Sequence, residues 1–310
     1  MCASARAVNV GEVGTGQLRS GYRASHGVDV GHLLPADVRV VELHECSDCS
    51  LRWYTPAIAG DDRFYEDLQT VSRYYQDHKP EYDFAKLHIG EGDRVLEVGC
   101  GKGAFARVLP RDVVYRGLEF NQVAIDKARS SGLDVQPLPV ADEAVARPGH
   151  HDVVCHFQVL EHVGDPHGFL ADCVRALRTG GKLIVAVPAE DSFLALVEGG
   201  WLNMPPHHLT RWPDRSLRAA LRAAGLSLTE MWHEPVAEYH KAWYRGVMIN
   251  AGLKKLLGAR PGLLRDRLLS RMSRRAGQVP FVSDLLYASG ERKFPHRGRG
   301  HTVCAVATKD

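Results

Sequence analysis

Short apolar runs with strand character recur through the middle of the chain, at Val95–Val98, Val113–Leu118, Asp152–Val159 and Lys182–Pro188. The third is apolar almost throughout rather than alternating, the pattern of a strand covered on both faces in a parallel sheet. A shorter strand and turn is expected at Leu133–Gln136. Sequence of helical spacing lies between the runs. Phe169–Leu177 is the clearest case, with Asp165 as N-cap, Pro166 in the first turn and Gly180-Gly181 as the stop. Farther on, a helix over Arg218–Leu226 closes at Gly225, Ser227–His233 reads as a strand, and His301–Lys309 alternates as a last one. Strands alternating with helices predict an α/β domain.

This pattern meets chemistry at Val95-Leu96-Glu97-Val98-Gly99-Cys100-Gly101-Lys102-Gly103. Glycines at alternate positions let the chain turn sharply after a strand and let a ligand approach the backbone without meeting a Cβ. Helix-like sequence follows from Ala104 to Leu109, and a helix there would point free N–H groups at an anionic ligand. A nucleotide-like or amino-acid-like cofactor is therefore expected. Gly99-x-Gly101-x-x-Ala104 satisfies the dinucleotide fingerprint. Glu119, twenty positions after Gly99, ends the next strand, where either kind of cofactor needs an acid for its ribose hydroxyls. A short-chain dehydrogenase would also need Tyr-x-x-x-Lys after the loop. That spacing occurs before it, at Tyr75 to Lys79, and not after it.

Glu97, two residues ahead of Gly99-x-Gly101-x-Gly103, instead resembles the first motif of class I S-adenosylmethionine-dependent methyltransferases. A carboxylate near the end of an apolar strand is costly to bury without a partner. The resemblance sets Glu97 near the methionine end of the cofactor; the other reading is an acid that hydrogen-bonds the glycine loop. Leu160-Glu161-His162-Val163, after the third run, looks like the post-strand-four signature of a subgroup that includes ubiquinone-biosynthesis-type enzymes. The resemblance covers about residues 90–235 plus the last ten. It implies a doubly wound, seven-stranded, mostly parallel Rossmann-like sheet whose last strand is antiparallel, with S-adenosylmethionine as cofactor. Cofactor contacts would fall on Glu97, Gly99, Cys100, Gly101, Gly103, Glu119 and Gln158. Phe120 would pack against the adenine or fill the core, and Val140 would fall near the base.

Residues 1–88 precede this domain (89–235 and 301–310), and residues 236–300 interrupt it. In the first segment Arg39–His44 and Leu51–Tyr54 read as strands flanking Cys46-Ser47-Asp48-Cys49, much like a zinc-ribbon knuckle. A ribbon needs a second ligand pair. His44 and a distant Cys2 do not complete one, so the segment resembles a ribbon whose ligands have been lost, and no metal is expected. Phe64–Leu68, Tyr74-Tyr75 and Tyr82 follow. They suit a helical flap over the cofactor, with Tyr74 and Tyr75 facing the sulfonium or the carboxylate, or rings that fasten the segment to the sheet.

Methyl transfer from a sulfonium is an in-line displacement, so alignment matters most, and an alcohol acceptor must also lose a proton. Beyond the Lys182–Pro188 strand the chain reads Trp201-Leu202-Asn203-Met204-Pro205-Pro206-His207-His208-Leu209-Thr210-Arg211-Trp212. This stiff segment leaves the carboxyl edge of the sheet, where ligands bind, and its tryptophans suit an acceptor pocket. It resembles the histidine-containing segment of the same subgroup. His208 fits that position best as a base, His207 suits a brace of the loop, and His162 is a weaker candidate beside Glu161.

The 236–300 insertion carries fourteen Lys or Arg against four Asp or Glu, a local charge of +10 in a chain of net +2. Leu253–Leu257 and Leu263–Met272 look helical, separated by Pro261. A lid favouring an anionic acceptor, a face resting on an acidic membrane, and a solvated hairpin that mediates a homodimer all fit such a segment. No recognised RNA motif or aromatic-interleaved basic platform accompanies the charge. At 310 residues, 45% hydrophobic and 25% charged, with seven scattered cysteines, no secretory h-region and no run of membrane-spanning length, the chain reads as a cytoplasmic enzyme. The expected substrate is a small-molecule, sugar or lipid-linked acceptor methylated on oxygen. An RNA- or protein-modifying methyltransferase and a non-catalytic S-adenosylmethionine-binding module are the alternatives.

Overall fold

The computed structural model describes residues 6–69, 77–259, 261–292 and 294–310. The N-terminal segment forms β1 (Ala7–Gly14), α1 (Thr15–His26), β2 (Val40–Cys46) and β3 (Arg52–Thr55). The two strands expected around the cysteine knuckle pair antiparallel, with Leu43 opposite Tyr54. The strand and helix before them had no sequence signal. Cys46 and Cys49 are buried with Leu51 in the main apolar core. Cys2 lies outside the described residues, as do Tyr74 and Tyr75. Two helices, α2 (Asp62–Gln69) and α3 (Pro80–Ala85), lead to the central sheet.

That sheet is built from β4 (Arg94–Val98), β5 (Val114–Leu118), β6 (Val135–Gln136), β7 (His151–Phe157) and β8 (Leu177–Pro188). Helices α4 (Gln122–Ser130), α5 (Val140–Ala146) and α6 (Pro166–Ala176) connect them. Local capping chemistry sets the helix starts. Asn121 accepts from the Ala124 N–H at the head of α4, and Asp165 from the Gly168 N–H at the head of α6, with Pro166 in the first turn. A two-residue β9 (Thr210–Arg211), α7 (Asp214–Ala223) and β10 (Leu226–Pro235) follow. The insertion then folds as α8 (Lys241–Leu256), α9 (Arg267–Gly277) and α10 (Pro280–Arg292) before β11 (Arg299–Lys309) closes the sheet.

The order is β10-β11-β8-β7-β4-β5-β6, with β11 antiparallel to both neighbours and the other pairs parallel. Successive residues bury on opposite faces: Val95, Val153 and Ile184 on one, Leu96, Val154 and Val185 on the other. The chain runs outward from β4 to β6, then returns to β7 and continues the other way. This reversal opens a crevice at the carboxyl ends of β4 and β7, the position where such sheets take ligands.

Several sequence expectations need correction. Helix α6 ends at Ala176 and runs straight into β8, so Gly180-Gly181 lies inside the strand rather than stopping the helix. No α-helix follows the glycine loop: residues 101–105 are turns and Ala106–Val108 a single 3-10 turn. Gly103 is left-handed (φ 75°) and Pro110 blocks any extension beyond Leu109, so fewer than two turns of helix-compatible chain remain. Among the described residues the insertion has three helices rather than two, the first beginning at Lys241 and the third not foreseen at all. Helices α8 and α10 meet backbone to backbone at Gly252 and Gly290, where an added Cβ would lie 2.1 Å from the carbonyl oxygens of Leu286 and Met248. Apolar periodicity underrates a contact made by glycine.

Candidate functional site

The donor side of the crevice is the loop after β4. Gly99, Gly101 and Gly103 all take positive φ (72°, 52° and 75°), which any side chain would strain. The Gly99 and Cys100 N–H groups donate to the Leu118 carbonyl, tying the turn to β5. Cys100 is buried against Ile125, Ala128 and Val135. Glu119 accepts from the Gly101 N–H (2.8 Å) on one oxygen and from Phe120 and Asn121 (2.9 Å each) on the other. A carboxylate has about four acceptor sites, so capacity for hydroxyl donors remains. The Phe120 ring is 70% exposed, so it fills no core here. Val140, the buried first residue of α5, belongs to the main core.

Glu97 is buried at the end of β4, and the Tyr115 hydroxyl donates to its Oε2 at 2.6 Å. Burial pushes its carboxyl up to about 8, with the Tyr115 bond and the charge of Lys79 acting in the opposite sense. The acid that hydrogen-bonds the glycine loop is Glu119 and not Glu97. These residues fit S-adenosylmethionine: an acid held short of a full counter-charge, a backbone cradle without side chains, a second acid with lone pairs to spare and an uncovered aromatic ring.

The other side of the crevice is the turn after β7. Gln158 adopts φ 59°, rare for a side-chain-bearing residue and concentrated at functional sites. Its amide donates to Glu81 (3.4 Å) and Thr302 (3.3 Å). Val159 lies so close to the glycine loop that a Cβ on Gly99 would meet it at 2.6 Å, so the two loops form one unit. Glu161 and His162 come next in the chain, and His207 and His208 arrive from the segment between β8 and β9. Ring centroids are 4.5 Å apart for His162 and His207, 4.8 Å for His162 and His208, and 4.5 Å for the stacked His207 and His208.

Each imidazole has its Nδ1 against an oxygen that can only accept: the His207 carbonyl for His162, the Leu202 carbonyl for His207, and Asn203 Oδ1 for His208. The proton therefore sits on Nδ1, and Nε2 carries the lone pair. Oε1 of Glu161 lies 3.8 Å from Nε2 of His162 and 3.9 Å from Nε2 of His208. Burial lowers His162 to about 4 and His207 and His208 well below the usual histidine range, and raises Glu161 to about 8. His207 braces the loop, in line with its place in the sequence. His208 is held in the same way.

The N-terminal segment supports this arrangement. The β9 strand joins the N-terminal sheet, Thr210 pairing with Trp53 and Arg211 with Arg52. The Tyr22 hydroxyl shares its one proton between the carbonyls of Trp201 (2.7 Å) and Met204 (2.8 Å), and the Tyr54 hydroxyl donates to that of Asn203 (3.1 Å). The Leu209 N–H donates to the Glu161 carbonyl at 2.8 Å. The tryptophans do not line a pocket. Trp212 is buried in the main core and Trp201 lies flat on α1 at Gly21, whose added Cβ would meet the ring at 2.3 Å. Phe64 packs on Tyr22, and Tyr82 between Phe105 and Phe157, so these rings fasten the segment to the body of the protein.

Several groups in the crevice were not singled out by sequence. Lys79 is half-buried with its Nζ 5.7 Å from the Tyr82 ring centroid, and its charge reaches Glu97, Glu161, His162 and His301. Glu81 and Glu234 are buried, and Glu234 accepts from the Thr302 N–H at 3.0 Å. Glu161 carried a usable signal: it sits in the Leu160-Glu161-His162-Val163 motif, four residues past the apolar strand β7, as Glu97 sits within the apolar strand β4.

A doubly wound sheet with a glycine turn at its reversal point and acids at the ends of its first two strands defines a class I methyltransferase fold. The chain belongs to the methyltransferase-domain family, whose model matches residues 70–231, more than half its length. It is an enzyme that uses S-adenosylmethionine. A probable S-adenosylmethionine-dependent methyltransferase of Mycolicibacterium smegmatis is 28% identical over 212 residues, covering 64% of this chain and 78% of that protein. A ubiquinone biosynthesis O-methyltransferase of Maricaulis maris is 34% identical over 154 residues, covering 44% of this chain and 60% of that one. Among solved structures, an S-adenosylmethionine-dependent methyltransferase from Archaeoglobus fulgidus aligns with a TM-score of 0.48 at 16% identity, over 74% of this chain and 94% of that one.

Proposed function

We propose that this methyltransferase transfers its methyl group to an oxygen of a small-molecule acceptor. Glu97, the Gly99–Gly103 loop, Glu119, Phe120 and Gln158 hold the donor, and the histidine cluster makes the acceptor hydroxyl give up its proton. Bound S-adenosylmethionine supplies an electrophilic methyl on a sulfonium. The chain's own residues have two tasks: to align the acceptor oxygen, and to take charge of the hydroxyl proton as the new carbon–oxygen bond forms.

One observation carries the reading. Three clustered imidazoles have Nδ1 pinned, and two of them, His162 and His208, hold Nε2 within 4 Å of the buried Glu161 carboxyl, next to a residue (Val159) that packs on the glycine turn. A nitrogen acceptor that is already nucleophilic does not need this proton-handling group. The name of the Maricaulis relative agrees in reaction type. Incubation with methyl-labelled donor and cell extract fractionated by polarity tests the proposal. Label in a low-molecular-weight ether supports it. Label in RNA or protein counts against it, as does donor binding with no labelled product from any fraction.

A further inference from the structure

We propose that Glu161, His162, His207 and His208 form a binding site for one divalent transition-metal ion of the zinc type. Three imidazoles offer ligand nitrogens that all lie within 4.8 Å of one another. Ligands bound at about 2.0–2.1 Å around a tetrahedral ion stand roughly 3.3 Å apart, so the gap closes with side-chain shifts of about an ångström. Each ring is already prepared for this. A metal-bound histidine almost always gives its other N–H to a carbonyl or carboxylate, which fixes ring and tautomer. Here the three partners are the carbonyls of His207 and Leu202 and the side-chain oxygen of Asn203.

The fourth ligand is the independent observation. Both carboxyl oxygens of Glu161 are buried with no hydrogen-bond partner among the described residues, although Oε1 stands within 4 Å of two imidazole nitrogens. An acid buried in that way is costly unless a cation completes it. Three neutral imidazoles and one carboxylate suit zinc, cobalt, iron or manganese, and not magnesium or calcium, which take oxygen ligands. The Cys46–Cys49 knuckle is a different place, packed into the apolar core with Leu51.

The inference rests on the function proposed above for the ion's role, though not for its existence. An ion held by these four groups would have to expand to five ligands to take the acceptor oxygen; it would then lower the pKa of the hydroxyl, and His208 would serve as a ligand rather than as the base. Metal content and affinity for S-adenosylhomocysteine are therefore measured separately on the full-length chain, so that failure of one leaves the other standing. After chelator treatment, dialysis against Zn2+ is expected to restore one equivalent. Co2+ is expected to give the visible bands of a low-coordinate nitrogen–oxygen site. His162→Gln and His208→Asn should each weaken Zn2+ binding at least about 100-fold, while the double variant Cys46→Ser, Cys49→Ser keeps the full equivalent. X-ray absorption of the zinc-loaded wild-type chain needs no variant to fold: nitrogen and oxygen neighbours with imidazole scattering support the site. Sulfur neighbours, binding well below one equivalent, or zinc that survives both histidine changes would overturn it.

Discussion

The two sides of the crevice are built on opposite principles. On the donor side the acids are satisfied by nearby chain: Tyr115 serves Glu97, and the N–H groups of Gly101, Phe120 and Asn121 serve Glu119. On the acceptor side Glu161 keeps two buried oxygens without hydrogen-bond partners among the described residues, and beside its neighbour His162 the groups that act on it, Lys79 and His208, come from far along the chain in either direction. The first side is a cradle complete in itself. The second holds unmet hydrogen-bonding capacity in a low-dielectric place, where an arriving charge or hydroxyl is worth most.

Replacing Gly99 strikes both sides at once and carries the largest expected effect. Gly99→Val forces a branched side chain into a left-handed position and against Val159. Together these should cost about 3 kcal/mol. Calorimetry and thermal melts should show donor binding and turnover lost together, with a lowered Tm. If donor affinity survives, the two loops do not act as a single unit.

Tyr22→Phe separates the sides. It deletes the hydroxyl that holds the Trp201 and Met204 carbonyls, a loss of about 1–2 kcal/mol in stability. Turnover should fall about tenfold as the histidine segment loosens, which corresponds to about 1.4 kcal/mol of barrier. Affinity for S-adenosylhomocysteine should stay unchanged. A parallel loss of affinity would mean the N-terminal segment supports the donor cradle too.

The smallest effect is a proton count. Burial raises Glu97 to about 8 in the folded, donor-free chain, above its unfolded value near 4.5. The fold therefore holds that proton more tightly than the unfolded chain does. The resulting stability is fully present below pH 4.5 and is lost as pH rises through 8. A cationic donor reverses the preference, so binding at about pH 7 should release close to one proton and tighten as pH approaches 8. Calorimetry in buffers of different ionisation enthalpy reads this directly. Glu97→Gln should abolish the release, and an unchanged proton count in that variant would remove Glu97 from the donor site.

The same contrast decides what the sequence could disclose. The donor side was legible because its parts are local: strand, glycines and acid lie within Val95–Gly103, and Glu119 follows one strand later. The caps at Asp165 and Gly225 were readable for the same reason, whereas the antiparallel last strand followed from the family resemblance and the strand order from the structure alone. On the acceptor side, His162, His207 and His208 could be named singly. Their meeting depends on β9 joining a sheet whose first strand begins at Ala7, a contact across some two hundred residues that no periodicity encodes. Lys79, Glu81 and Glu234 were invisible because each looks like an ordinary surface charge until folding buries it or turns it inward. The tryptophans misled for the converse reason, since large rings beside a candidate base suit core packing as well as a pocket.

Division of labour between the two sides is tested most directly on one preparation of His208→Ala, assayed for both methyl transfer and S-adenosylhomocysteine affinity. Turnover should fall by about a thousandfold or more, while affinity moves by no more than about twofold. Normal turnover, or a collapse of affinity in step with turnover, would refute that division.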